Sequence, residues 1–244
     1  MPTLWVAAAL AAALNLPAAP PQLPVVSPAN PFRNLFINLG HDARSLGTLD
    51  SAIVLGVGGA GAISAHNSDA RVHQWALDQP TTAPALAKFG NFYGDGVIQG
   101  GMAVGAWFAG KQTQNAKLES VGADLIRAQV LNGVITKTLK LTVDRTRPDD
   151  GSRGFPSGHA SATFATAAVI QRDYGVAMSV PFYALGGLVS WSRVRTNHHW
   201  LSDVVFGGAV GIASGLAVTH GRPTHWSIVP VKTAGGAAIY VTRR

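Results

Sequence analysis

Of the eight histidines in this chain of 244 residues, His199 stands six positions after Arg193 and four before Asp203. A histidine and an aspartate at i and i+4 on a helix can face each other, so that the carboxylate accepts Nδ1–H and leaves Nε2 free and basic. That pairing makes a nucleophile. His198, five positions from Asp203, is the poorer partner and is assigned a supporting or surface place. A second grouping is Pro156-Ser157-Gly158-His159, ahead of the helix-compatible run Ala160 to Ile170. Ser157 is a good N-cap, Gly158 leaves room for backbone approach, and the free N–H groups of the first turn point at any anion placed there, with His159 beside it. A third is Lys140, six further residues, then Arg147-Pro148. Seven positions is close to two helical turns, which sets both cations on one face, while Pro148 disfavours helix at Arg147 and lets that side chain swing from the helix end. Two cations so placed suit a dianionic phosphate.

Singly, these groupings also read as a solvated helix face and an ordinary capped helix with an exposed histidine. Together and in this order they resemble the signature of the type 2 phosphatidic acid phosphatase and vanadium haloperoxidase superfamily, K-x6-R-P, then P-S-G-H, then S-R-x5-H-x3-D, with all eleven fixed positions present, Ser192 included. The resemblance covers about Gly94 to His220. It implies an all-α bundle of about six helices and a pocket where Lys140, Arg147 and Arg193 hold phosphate oxygens, aided by Ser157 and the backbone N–H of Gly158. It implies further that His199 attacks phosphorus to give a phosphohistidine, that Asp203 orients the imidazole, and that His159 protonates the leaving alkoxide and then activates water. No metal or other cofactor is implied, because three cations take the place magnesium has in other phosphoryl transfers. His198 and His199 have no further histidine or carboxylate at ligand spacing that would make them a metal pair.

The elements that must position these residues are apolar, Ala/Gly-rich segments between polar turns. Helices are predicted at Leu49 to Ala65, Gly96 to Gly110, Leu118 to Val143, Gly158 to Tyr174, Val176 to Ser192 and Leu201 to His220. Most of their uninterrupted apolar runs fall short of the 18 to 20 residues or so that a membrane span needs, so short spans and buried core helices both fit. Gly207, Gly211 and Gly215 recur every fourth residue and mark a face for close helix packing. Gly56 to Gly61 fits the G-x-G-x-x-G dinucleotide pattern, but the polar run Ser64 to Asp69 follows, with no alternation of strands and helices, so it reads as a packing helix. The tail leans to β structure at Trp226 to Val231 and Ala237 to Thr242, around Gly235-Gly236, as a small C-terminal hairpin would. The segments are therefore 1–24 as signal peptide or N-terminal anchor, 25–48 irregular, 49–222 catalytic, and 223–244 as tail.

Composition bounds the function. Hydrophobic residues make up 47% and charged residues 13%, which fits a membrane-associated helical protein. A formal charge of +7 favours partners that carry phosphate. No long run of like charge and no basic stripe interleaved with aromatics occurs, so nucleic acid is set aside as a partner. The lack of cysteine excludes disulfides, thiolate catalysis and cysteine-bound zinc. The apolar run Leu4 to Leu14, broken at Pro17, Pro20, Pro21 and Pro24, resembles the core of a secretory signal or an anchor. With the resemblance, this predicts a phosphatase of the bacterial cell envelope, its site facing the periplasm or exterior. The substrate expected is a lipid phosphate or pyrophosphate: phosphatidic acid, phosphatidylglycerol phosphate or a polyprenyl pyrophosphate. The alternatives are a soluble periplasmic acid phosphatase of broad specificity, vanadate-dependent halide oxidation, and a non-catalytic phosphate-lipid binder. Selectivity is expected from the Asp149 to Phe155 loop and the aromatic cluster Phe89, Phe92 and Tyr93.

Overall fold

A computed structural model describes residues 35–78, 83–221, 226–233 and 236–243. The N-terminal segment read as a signal or anchor lies outside the described residues. The chain is an all-α bundle followed by a hairpin. Its helices are α1 (Leu35–Ser45), α2 (Leu49–His66), α3 (Asp69–Asp78), α4 (Pro84–Tyr93), α5 (Gly96–Gln112), α6 (Ala116–Val143), α7 (Gly158–Tyr174), α8 (Val176–Arg195) and α9 (Leu201–Val218). The six predicted helices correspond to α2 and α5 to α9. Three short ones were not anticipated.

One of these, α1, occupies part of the segment expected to be irregular. Its order comes from an ion cluster: Asp42 accepts two 2.8 Å hydrogen bonds from Arg127 of α6, which also reaches Asp124 at 2.6 Å and the Val218 carbonyl at 3.2 Å. Such a tie links α1, α6 and the end of α9, and no local periodicity could announce it. Between α2 and α5, α3 begins with the buried Asp69 and α4 starts on Pro84, whose fixed φ suits a first helical turn.

Alanine and glycine dominate the interior, so the helices bury little area per residue and depend on close approach. The glycine stripe of α9 does what its spacing predicted. A Cβ at Gly207 would lie 2.6 Å from the Ser157 carbonyl oxygen, and one at Gly211 only 2.1 Å from that of Ser161, so α9 sits backbone to backbone on α7. A Cβ at Gly58 would meet Ala209 Cβ at 2.1 Å, which makes the Gly56 to Gly61 stretch a packing face of α2 against α9. No nucleotide loop forms there. A buried polar ladder joins α5, α6 and α7: Thr166 donates to Gln99 at 2.7 Å and accepts from Gln129 at 3.0 Å. At the end of the chain β1 (Trp226–Thr233) pairs antiparallel with β2 (Gly236–Arg243), Val229 opposite Tyr240, as the β-leaning tail suggested.

Among the described residues two helices, α2 and α9, are long and apolar enough to cross a membrane, with mean hydropathies of 1.2 and 1.7. They differ in setting. α9 is 72% buried inside the bundle, whereas α2 is 11% buried and leaves Leu49, Ile53, Val57 and Ile63 exposed.

Candidate active site

Two junctions of the bundle, α6 to α7 and α8 to α9, bring the predicted residues together. α6 stops at Val143 because Asp144 adopts a left-handed conformation, φ 40°, and its N–H bonds back to the Lys140 carbonyl. Arg147 is therefore not on one helical face with Lys140, as the seven-residue spacing suggested. It belongs to a knotted loop in which its N–H donates to the Gly151 carbonyl at 2.7 Å and Gly154 N–H to the Arg145 carbonyl at 2.6 Å. Lys140 still joins this loop, since its Nζ donates to the Arg153 carbonyl at 2.8 Å.

Ser157 caps α7 as expected, its hydroxyl accepting from Ala160 N–H at 3.4 Å. The Gly158 and His159 N–H groups open the helix and have no intrahelical acceptor. Lys140 borders them, its Cε 4.0 Å from where a Gly158 Cβ would stand. Ser157 is tied to the third grouping as well, by its N–H donating to the Asp203 carbonyl at 3.0 Å.

His199 precedes α9, while Asp203 lies in that helix's first turn, so the two are not paired across a helix face. The pair arises from capping instead. Asp203 Oδ2 accepts the N–H of the N-cap Trp200 at 3.0 Å and lies 3.3 Å from His199 Nδ1. The carboxylate is fully buried and the imidazole 97% so. Asn197, at φ 63°, turns the chain so that the N–H groups of both His198 and His199 reach the Arg193 carbonyl, at 3.0 and 3.2 Å. The backbone of one cationic residue thus fixes the histidine. Arg193 is positioned in turn by Asn91 of α4, whose Oδ1 accepts from its guanidinium at 3.0 Å and from Ser192 at 3.2 Å. His198 Nδ1 lies 3.0 Å from the Thr196 hydroxyl, away from Asp203.

Two features point to an anion. The Nε atoms of Arg147 and Arg193 are buried without a hydrogen-bond partner, and both guanidinium groups lie in the field of Lys140. Burial, opposed by the Asp203 hydrogen bond and reinforced by Lys140 and Arg193, lowers the His199 pKa to about 4. His159 is brought to about 4 as well, by burial and then by Arg193, with only Asp95 at 3.9 Å in compensation. Both rings are neutral near pH 7, and the contact to Asp203 favours the His199 tautomer with the proton on Nδ1. Nε2 then offers its lone pair to the cationic pocket. Among the described residues no three His, Asp or Glu side chains converge as a metal site.

Sequence reasoning missed three neighbours: Arg145, Asp69 and Asn91. Arg145 stands two positions before Arg147, and the other two carry no local signal.

The capped start of α7, the buried His199–Asp203 pair and the cations Lys140, Arg147 and Arg193, which act on one another electrostatically, thus come together in one part of the bundle. Residues 122–227 match the model of the PAP2 superfamily. The lipid A 1-phosphatase of Porphyromonas gingivalis is 34% identical over 97 residues, which cover 38% of this chain and 22% of that protein. The lipid A 4'-phosphatase of Helicobacter pylori is 35% identical over 80 residues, covering 32% and 40%. The chain thus spans less than half the length of these curated relatives. Among solved structures, Aquifex aeolicus LpxE shares the fold with a TM-score of 0.50 at 20% identity, over 62% of this chain and 93% of that one. A transmembrane PAP2 type phosphatidylglycerolphosphate phosphatase from Bacillus subtilis does so with a TM-score of 0.50 at 18% identity, over 78% and 94%.

Proposed function

We propose that the chain hydrolyses a phosphate or pyrophosphate ester carried by a membrane lipid, through a phosphohistidine on His199 and without a metal. The observation that carries this is the neutral, buried His199 held by Asp203 within a cluster of cations that includes two unpartnered guanidinium nitrogens. Lys140, Arg147 and Arg193 hold the phosphate oxygens, with Ser157 and the Gly158 N–H. His199 Nε2 attacks phosphorus, the bond to the leaving alkoxide breaks, and His159 gives that oxygen its proton. Water then attacks phosphorus and the P–N bond to His199 breaks while His159 takes the water proton, releasing phosphate and free imidazole. The lipid part of the reading is supported by the exposed apolar face of α2 and by relatives named as lipid A phosphatases. It places the protein in the bacterial cell envelope with its site on the outer side of the membrane. The stacked Phe89–Tyr93 pair and the exposed Phe92 of α4 stand on the helix that holds Arg193, where they would meet the lipid portion.

The test is a substrate panel in detergent and EDTA: lipid A, phosphatidic acid, phosphatidylglycerol phosphate and a polyprenyl pyrophosphate, against p-nitrophenyl phosphate. Burying a few methylenes of the lipid supports a kcat/KM preference of roughly 100-fold over the soluble ester. Equal use of the soluble ester, together with release from membranes by salt alone, would instead establish the soluble phosphatase that a well-buried α9 also fits. Loss of turnover in EDTA would sink the metal-free mechanism.

A second expectation concerns protons. A bound phosphate adds negative charge beside His159 and opposes the burial and the Arg193 field that depress its pKa, so the complex holds a proton the free site lacks. Phosphate binding should therefore strengthen as pH falls from 7 towards 5. In calorimetric titrations His159→Asn should flatten that slope, and the titration of phosphate itself cancels between the two proteins. An unchanged slope would remove His159 from the proton path.

A further inference from the structure

The Asp203 carboxylate has two oxygens, and the contact to His199 uses one. The other, Oδ1, accepts a 2.7 Å hydrogen bond from Nη1 of Arg145, which donates also to the Ser202 hydroxyl at 2.7 Å. Nη2 of the same guanidinium reaches Asp69 Oδ2 of α3, again at 2.7 Å. Asp69 is fixed in its turn by Ser202, whose N–H and hydroxyl donate to it at 2.9 and 2.6 Å. Arg145 lies over the Trp200 ring, 5.5 Å from its centroid, and Trp200 is pinned by its Nε1 donating to the Thr146 carbonyl at 2.9 Å. Both oxygens of the Asp203 carboxylate are thereby engaged, and the hydrogen bonds of the Arg145 guanidinium go to Asp203, Ser202 and Asp69.

We propose that Arg145, backed by Asp69, is a positioning residue that aims the Asp203 carboxylate at His199 and partly neutralises it, forming a chain Asp69–Arg145–Asp203–His199. This rests on the phosphohistidine reading above. Asp69 lies outside the stretch that matches the superfamily. A buried carboxylate without a cation beside it would be costly, whereas Nη1 of Arg145 neutralises Oδ1 while the Trp200 N–H and His199 hold Oδ2. The charges that face His199 are Asp203 on α9, Lys140 on α6, Arg193 on α8 and His159 on α7. His198 lies beside it on the loop, and behind Asp203 stand Arg145, Asp69 and the His66 ring, whose Nδ1 is 3.0 Å from Asp69.

Removing the positive charge of Arg145 leaves Asp203 to act undiminished on the imidazole and so raises the His199 pKa; a purely structural role would not move it. The experiment titrates histidine-labelled full-length protein by NMR, with the His199 signal assigned from His199→Gln. Arg145→Gln should shift its midpoint upward by about one pH unit and Arg145→Lys should return it close to wild type. In turnover, Arg145→Gln should lower kcat roughly 100-fold with KM within about threefold, and Arg145→Lys should recover only part, because an ammonium cannot bridge two carboxylates in a plane. Should Arg145→Gln fail to fold, Asp69→Asn carries the test, with kcat down roughly tenfold, KM unchanged and no upward shift of the midpoint. An unmoved midpoint in Arg145→Gln, or unchanged kcat in Asp69→Asn, overturns the proposal. The titration needs no substrate. A moved midpoint in a protein inert on every phosphate ester supports the chain and refutes the phosphatase reading, while an active wild type with an unmoved midpoint does the reverse.

Discussion

His199→Ala is expected to lower kcat by roughly four orders of magnitude while leaving phosphate affinity within a few fold, the pattern of a lost nucleophile rather than a lost binding group. The cations that would hold the anion are supported independently of the ring: Arg193 by Asn91, Arg147 by its own loop, and Lys140 by the Arg153 carbonyl. Truncation should not unfold the protein, because Asp203 keeps the Arg145 and Trp200 hydrogen bonds and is not left as an unpaired buried charge. Single-turnover kinetics on the best lipid substrate measure the loss, and orthovanadate inhibition of the wild type together with its direct binding to the variant measures what is retained. Acid-labile phosphate trapped on the wild-type protein should be missing from the variant. If His199→Ala keeps turnover within tenfold, another nucleophile is at work, and His159 becomes the first to test.

How the site was visible in the sequence, and where it was not, follows from the range of the interactions. Ser157 capping α7 and the glycines of α9 are local effects, and their spacing announced them. The His199–Asp203 contact was anticipated for an incomplete reason: four-residue spacing suggested a helix face, whereas the chain enters α9 through an N-cap and Asp203 reaches back to it. The end of α6 at Val143 was anticipated, but the seven-residue spacing still suggested one face for Lys140 and Arg147, whereas the left-handed Asp144 turns Arg147 into a loop. α1 escaped notice because its order depends on Arg127, far along the chain. Asp69 and Asn91 escaped for the same reason, with partners 76 and 102 positions away. The residues proposed to do chemistry keep a recognisable spacing, while those that steady them are chosen by the packing of the bundle and leave no local pattern.

That dependence on packing sets the other large effect, at a residue with no polar atom in its side chain. Gly211→Val is expected to cost about 3 kcal/mol or more of stability and to abolish activity. A Cβ at Gly211 would stand 2.1 Å from the Ser161 carbonyl oxygen and 2.9 Å from Ala165 N, all of it backbone of α7 that no rotamer change can clear. The helices must part by more than an ångström. α7 carries His159, with Ser157 and Gly158 at its start, and α9 with its entry loop carries Asp203 and His199, so the seam that opens is the one that sets the distance between the proposed acid and the proposed nucleophile. Productive geometry tolerates little displacement of that kind. Gly133→Ala is the control: nothing lies within 4 Å of its Cβ on α6, and an interior helical glycine replaced by alanine should stabilise by roughly 0.5–1 kcal/mol without change in kcat. Thermal unfolding in detergent reads both, and phosphate release reads the site. A Gly211→Val protein that melts with the wild type and still turns over would mean that α7 and α9 are not packed backbone to backbone, and the geometry joining His159 to His199 would then have to be rebuilt.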